Sequence, residues 1–143
     1  KEDDLASLKA CVASAAFDIP LQKPKSTASC TELFVNGPVL TSNSDMMMVF
    51  GGNSICKALA NTATAARDMI LVDEWCEWER NVLRPNANAS STNTATKNKI
   101  HLSKLEEALE NHMTVLETGL TAADICIVLT LYKLYSSSEE EEE

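Results

Sequence analysis

A chain of 143 residues is long enough for one domain, or one domain of two small layers, and can bury roughly two thirds of the surface it exposes when unfolded. Hydrophobic residues make up 45% and charged residues 23%, close to the globular average, while aromatics at 5% leave the core to be mainly aliphatic. The net charge is −9, of which the terminal run of five glutamates from Glu139 supplies five and leaves the body at −4; with no basic cluster beyond the sparse Lys23-Pro24-Lys25, direct binding of nucleic acid is not expected.

Acidic residues Glu2, Asp3 and Asp4 suit a helix N-terminus, and Leu5, Leu8, Val12, Ala15 and Ala16 recur at helical spacing, so a helix of about three turns is predicted over 5–17 and is ended by Pro20 and Pro24. Glu32-Leu33-Phe34-Val35 reads as extended. Pro38-Val39-Leu40 starts a second short strand and Met46-Met47-Met48-Val49-Phe50 a third, with a turn at Asn43-Ser44-Asp45 between them, which makes a hairpin. After Gly51-Gly52, Asn53 or Ser54 can cap a helix through Ile55, Leu59 and Ala66.

Leu71, Trp75, Trp78 and Val82 lie at i, i+4, i+7 and i+11 and predict a helix that stops at Pro85 and buries both indoles. Residues 86–98 are nearly all Asn, Ala, Ser and Thr and are expected to form a long connection. Leu102, Leu105, Leu109, Met113 and Leu116 give the next amphipathic helix, with Gly119 as its C-cap. Thr121-Ala122-Ala123-Asp124 is a capping-box variant with Asp in the reciprocal position, and Leu120 and Ile125 are placed as a hydrophobic staple. It opens a run, 125–135, apolar on every side, which should lie at the centre of its layer. Residues 136–143 read as a solvated acidic tail.

Cys11, Cys30, Cys56, Cys76 and Cys126 show neither CxxC spacing nor histidine partners and read as thiols in a reducing compartment. No apolar run reaches the ~18 residues of a membrane span and there is no apolar leader, so a cytoplasmic location and no membrane contact are expected. His101 and His112 lack the neighbours that nucleophilic or metal chemistry needs. No metal, cofactor or catalytic residue is assigned.

Three segments together resemble one family. Gly37-Pro38-Val39-Leu40 with the hairpin and Gly52-Asn53-Ser54-Ile55 looks like the cis-proline, strand, strand and Ser-capped helix series of glutathione transferases, and Thr121 to Asp124 is similar to the capping motif of their C-terminal layer. Val72-Asp73-Glu74-Trp75-Cys76-Glu77-Trp78-Glu79 most resembles the first helix of that layer in the transferase-like domains of eukaryotic aminoacyl-tRNA synthetases and of the scaffold proteins of their complexes, nearest the methionyl enzyme. The likeness covers roughly residues 30–135. It implies an α/β plus all-α fold, with a small thioredoxin-like layer over 1–67 and a helical layer over 68–135, trimmed at both ends. Active transferases carry a catalytic Tyr, Ser or Cys just after a first strand, whereas this chain enters directly with the Leu5 helix.

The resemblance implies a docking domain that pairs with another transferase-like domain and tethers a synthetase in a multi-enzyme assembly, with tRNA reached only indirectly. Met47 on the hairpin edge, Lys57, Ala58, Asn61 and Thr62 on the helix after it, then Arg67 and Trp78, are the expected contacts, with Lys57, Arg67 and Glu79 on the rim. Gly37, Pro38, Val39, Asn53 and Ser54 mark a vestigial glutathione site, in which Ser54 stands where helix amides favour a carboxylate. Thr121 and Asp124 are structural. The same likeness also admits an active glutathione transferase or a domain of a gamma-type subunit of translation elongation factor 1.

Overall fold

The computed structural model describes residues 2–22, 38–42, 47–60, 68–85 and 94–139. The expected strand over 32–35, Gly37 and its bond to Pro38, the turn at 43–45, the helix end over 61–67, the connection over 86–93, Cys30 and residues 140–143 of the tail expected over 136–143 lie outside these residues, while 136–139 are not tail but the end of the last helix. Among the described residues, five helices and one two-stranded sheet make a mixed, mostly helical fold, compatible with an α/β half followed by helices. The chain divides into two compact units, Lys1–Thr62 and Ala63–Glu143; the predicted division after residue 67 adjoins 61–67, which are not described.

In the first unit α1 (Glu2–Ala16) packs on α2 (Gly52–Ala60). Leu5, Lys9, Ala10 and Ala13 of α1 are buried, while Leu8, Ala15 and Ala16 are exposed, so the inward face is rotated from the predicted stripe. Close approach is the reason. A Cβ at Gly52 would lie 2.9 Å from Ala6 Cα, and at that spacing the alanine face of α1 fits where Leu8 would not. α1 ends before Pro20: Asp18 takes a left-handed φ of 53°, Asp18 N–H donates to Ala15 O and Ile19 N–H to Ser14 O, the pattern of a Schellman motif with Asp in place of Gly.

Strands β1 (Val39–Thr41) and β2 (Met48–Phe50) pair antiparallel with Val39 opposite Phe50, Leu40 opposite Val49 and Thr41 opposite Met48. That ladder is the predicted hairpin, shortened. Gly51, at φ 83°, donates its N–H to Pro38 O and accepts from Ile55 N–H, so α2 starts one residue before the two predicted caps and Asn53 and Ser54 sit inside its first turn.

In the second unit α3 (Met69–Trp78) runs on without a break into a π-helical turn (Glu79–Leu83). Both pack against α5 (Ala122–Glu139), and α4 (Thr94–Leu109) precedes α5. Helix α4 begins inside the segment expected to be a connection and stops at Leu109, short of the predicted Leu116. The stop has a local cause: Val115 N–H, which a continued helix would spend on Asn111 O, donates instead to Asp124 Oδ1 at 2.8 Å. Met113 is consequently 100% exposed. Gly119 keeps a positive φ of 112° and donates to Leu116 O, closing a turn rather than capping a helix.

Among the described residues no helix is long and apolar enough to cross a membrane.

Substituting Gly52→Ala places a methyl against the backbone of Ala6, so the variant should lose about 1–2 kcal/mol despite the better helix propensity of alanine. Urea denaturation followed by circular dichroism measures this, and an unchanged midpoint would contradict the close packing.

Candidate functional site

Within the first unit the predicted glutathione residues that are described fall at the junction of the hairpin and α2. Pro38 O is bonded to Gly51 N–H at 3.3 Å and Val39 pairs with Phe50, which brings both beside the first turn of α2 that carries Asn53 and Ser54. Ser54 is exposed. Asn53 Oδ1 accepts a 2.9 Å hydrogen bond from Nζ of Lys9, a lysine only 1% exposed. Cys56 Sγ donates to the Lys9 carbonyl at 3.4 Å, a second tie across the same helix pair. Of the predicted docking residues, Met47 is exposed before β2, and Lys57 and Ala58 are half-buried on α2. Asn61, Thr62 and Arg67 lie outside the described residues.

Trp78 belongs to the second unit and is half-buried, with its ring 5.4 Å from that of Trp75 in an edge-to-face arrangement. Trp75 alone of the two is buried, and Lys104 Nζ from α4 stands 4.7 Å over its ring while lying 3.2 Å from Glu74 Oε1. The buried stripe of α3 and the π turn after it is Val72, Trp75, Cys76, Glu79 and Leu83, and Leu71 is exposed. This stripe lies one residue beyond the predicted one.

Glu79 is therefore not a rim residue. Its exposure is 0%, and its carboxylate is held at three points: Oε1 accepts from Arg84 Nε at 3.1 Å and from Thr130 Oγ1 at 2.5 Å, and Oε2 accepts from Arg84 Nη2 at 2.7 Å. This is a forked guanidinium–carboxylate pair, the geometry in which arginine binds a carboxylate most firmly. In an α-helix residues five apart point about 140° away from each other. The π turn removes that mismatch, because its bond from Arg84 N–H to Glu79 O sets residue 84 above residue 79.

At the start of α5 the predicted cap is in place. Asp124 Oδ2 accepts from Thr121 N–H at 2.8 Å and from Thr121 Oγ1 at 2.7 Å, the reciprocal half of a capping box. Leu120 is half exposed although Ile125 is buried. Helix α5 is enclosed on all sides, as its uniform composition predicts, only in its first half: residues 122–127, Leu129 and Thr130 are buried, but Val128, Tyr132 and Tyr135, at i, i+4 and i+7, are 59%, 65% and 59% exposed. The signal missed was the tyrosines, whose polar tips suit a face that is apolar yet wet.

Among the described residues no cluster of three His, Cys, Asp or Glu could hold a metal. His112 Nε2 lies 3.3 Å from Glu117 Oε1 on the surface. The thiols of Cys56, Cys76 and Cys126 are buried and that of Cys11 is exposed. No protein-family model, curated protein or solved structure matches the chain.

Replacing Glu79→Ala strands Arg84 and Thr130 around a small void and should cost about 3–5 kcal/mol, whereas the paired change Glu79→Met with Arg84→Met should cost clearly less. Thermal unfolding of the variants checks it; equal losses in the two would show that the ion pair is not the buried element that matters.

Proposed function

We propose that this chain is a docking module whose second unit offers the outward stripe of α5 to a partner. The observation that carries the reading is the exposure of Val128, Tyr132 and Tyr135 on a helix that otherwise serves as core. Large apolar side chains aligned on one helical face cost free energy in water and gain it when covered, and tyrosine is among the residues most favoured at the centre of protein interfaces. The partner in this reading is another glutathione-transferase-like domain, in a cytoplasmic assembly that holds an aminoacyl-tRNA synthetase of methionyl type. Its supports are the likeness of residues 37–40, 52–55, 72–79 and 121–124 to that family, and the Thr121 and Asp124 cap, which occupies the N-terminus of a core helix as the likeness requires. The α2 positions Lys57 and Ala58 and the hairpin residue Met47 remain as contacts of the first unit. The chain tethers rather than catalyses, and any tRNA is bound by the enzyme it holds.

Size-exclusion chromatography with light scattering, on the chain mixed with recombinant transferase-like domains of eukaryotic multi-synthetase assemblies, tests this. A complex of one-to-one mass is expected, weakened tenfold or more by Tyr132→Glu and by Ala58→Glu, and unaffected by Met113→Glu at a fully exposed loop position. A parent chain that binds none of these domains, or a complex indifferent to both substitutions, overturns the reading.

A further inference from the structure

The composition of α5 leaves one thing undetermined. Its residues 125–135 are apolar nearly all round, so hydrophobic burial alone would accept several rotations of the helix about its axis at similar free energy. One rotation is observed, with Thr130 in the middle of the inward face and Val128, Tyr132 and Tyr135 outward. Thr130 is the only residue between Ile125 and Tyr132 with a side-chain oxygen or nitrogen, it has 0% exposure, and its Oγ1 donates to Glu79 Oε1. Glu79 cannot follow a rotating α5, since its carboxylate is clamped by both nitrogens of the Arg84 fork across the π turn. We infer that Glu79, fixed by Arg84, is a rotational key for α5: the hydrogen bond from Thr130 selects which apolar stripe of that helix is presented outward.

The logic is that of a single polar group in an apolar helix seam, where an unpaired alternative is penalised and one register is thereby specified. Any other rotation would carry the hydroxyl away and cost the buried carboxylate the bond that Thr130 adds to those from Arg84. The Asp124 cap fixes the first turn of α5 and acts at its N-terminus, while the key acts two turns further on, beside the tyrosines. Thr130 and Glu79 are in this sense positioning residues for the outward face.

The test uses the chain alone, so its result does not depend on any partner. Thr130→Val keeps the side-chain shape and removes the donor, and Thr130→Ser restores it. Two readouts follow in the folded protein: the rate of alkylation of Cys126 by N-ethylmaleimide, with Cys76 on α3 as internal reference, and hydroxyl-radical oxidation of Tyr132, both resolved by peptide mass spectrometry. In Thr130→Val, Cys126 should react about tenfold faster than in the parent, the population shift expected for losing one hydrogen bond to a charged group. Tyr132 oxidation should fall as the stripe turns partly inward, with Cys76 still protected, and Thr130→Ser should match the parent. If Cys126 and Tyr132 behave in Thr130→Val as in the parent, α5 needs no key. If Cys126 and Cys76 become reactive together, Thr130 merely contributes to stability. Either result overturns the inference.

Discussion

A carboxylate with no exposed surface, set in the apolar seam between α3 and α5, constrains its surroundings more than any apolar contact can. An ionised side chain taken out of water costs several kcal/mol unless its oxygens are fully engaged. Glu79 meets that condition with three donors on two oxygens. Each donor then fixes something else. Arg84 can reach back only if the helix widens by one residue per turn, so the π turn over Glu79–Leu83 follows from the pair, and Pro85 directly beyond it prevents the helix from continuing in that register. Thr130 ties the far helix to the same atom. Replacing the pair by apolar side chains costs less than breaking it, so what the charge adds to this seam is uniqueness of arrangement more than stability.

Asp124 constrains the other end of α5 in a comparable way. Its two oxygens satisfy Thr121 twice and Val115 once, and the last of these takes a backbone donor out of the preceding segment. A helix running from α4 through residue 116 is incompatible with that bond, so 110–121 folds as turns and Met113 is left in water. The first unit relies on a different device. There, α1 and α2 approach closely through Ala6 and Gly52, and the lysine caught in the seam is met by Asn53 and braced by the Cys56 thiol on its own carbonyl.

What could be read from the residues, and what could not, divides along the same physical line. Local chemistry was legible: the Thr121 and Asp124 cap, the hairpin with Gly51 behind it, and the helices at Leu5 and Leu71 depend on residues a few positions apart. Facing was not. The stripe Leu71, Trp75, Trp78, Val82 and the stripe Val72, Trp75, Cys76, Glu79, Leu83 have nearly the same periodicity, and the observed one includes a charge that a hydrophobicity reading rejects. The partner that makes Glu79 acceptable is five residues away, out of reach in an α-helix, and its second partner is fifty-one residues away. Similarly, Leu8 looks a better core residue than Ala10 until the closeness of α2 is known. At the candidate docking site, the likeness to transferases directs attention to Ala58 and Trp78, whereas the stripe on α5 emerges only once Val128, Tyr132 and Tyr135 are seen to be exposed on a helix otherwise largely buried.

Both units thus bury one long ionisable side chain, Lys9 in the first and Glu79 in the second, at a seam between two helices. A small core made mostly of aliphatic residues packs well in many arrangements, and shape alone separates them by small free energies. A protein that binds by presenting a surface is sensitive to that degeneracy, because a population spread over several helix rotations lowers the apparent affinity in proportion to the competent fraction. Buried polar contacts remove the spread before any partner arrives. For a helix such as α5, apolar nearly all round, the buried polar contacts decide which face is surface, and in the docking reading proposed above the contact face is therefore set from inside the core.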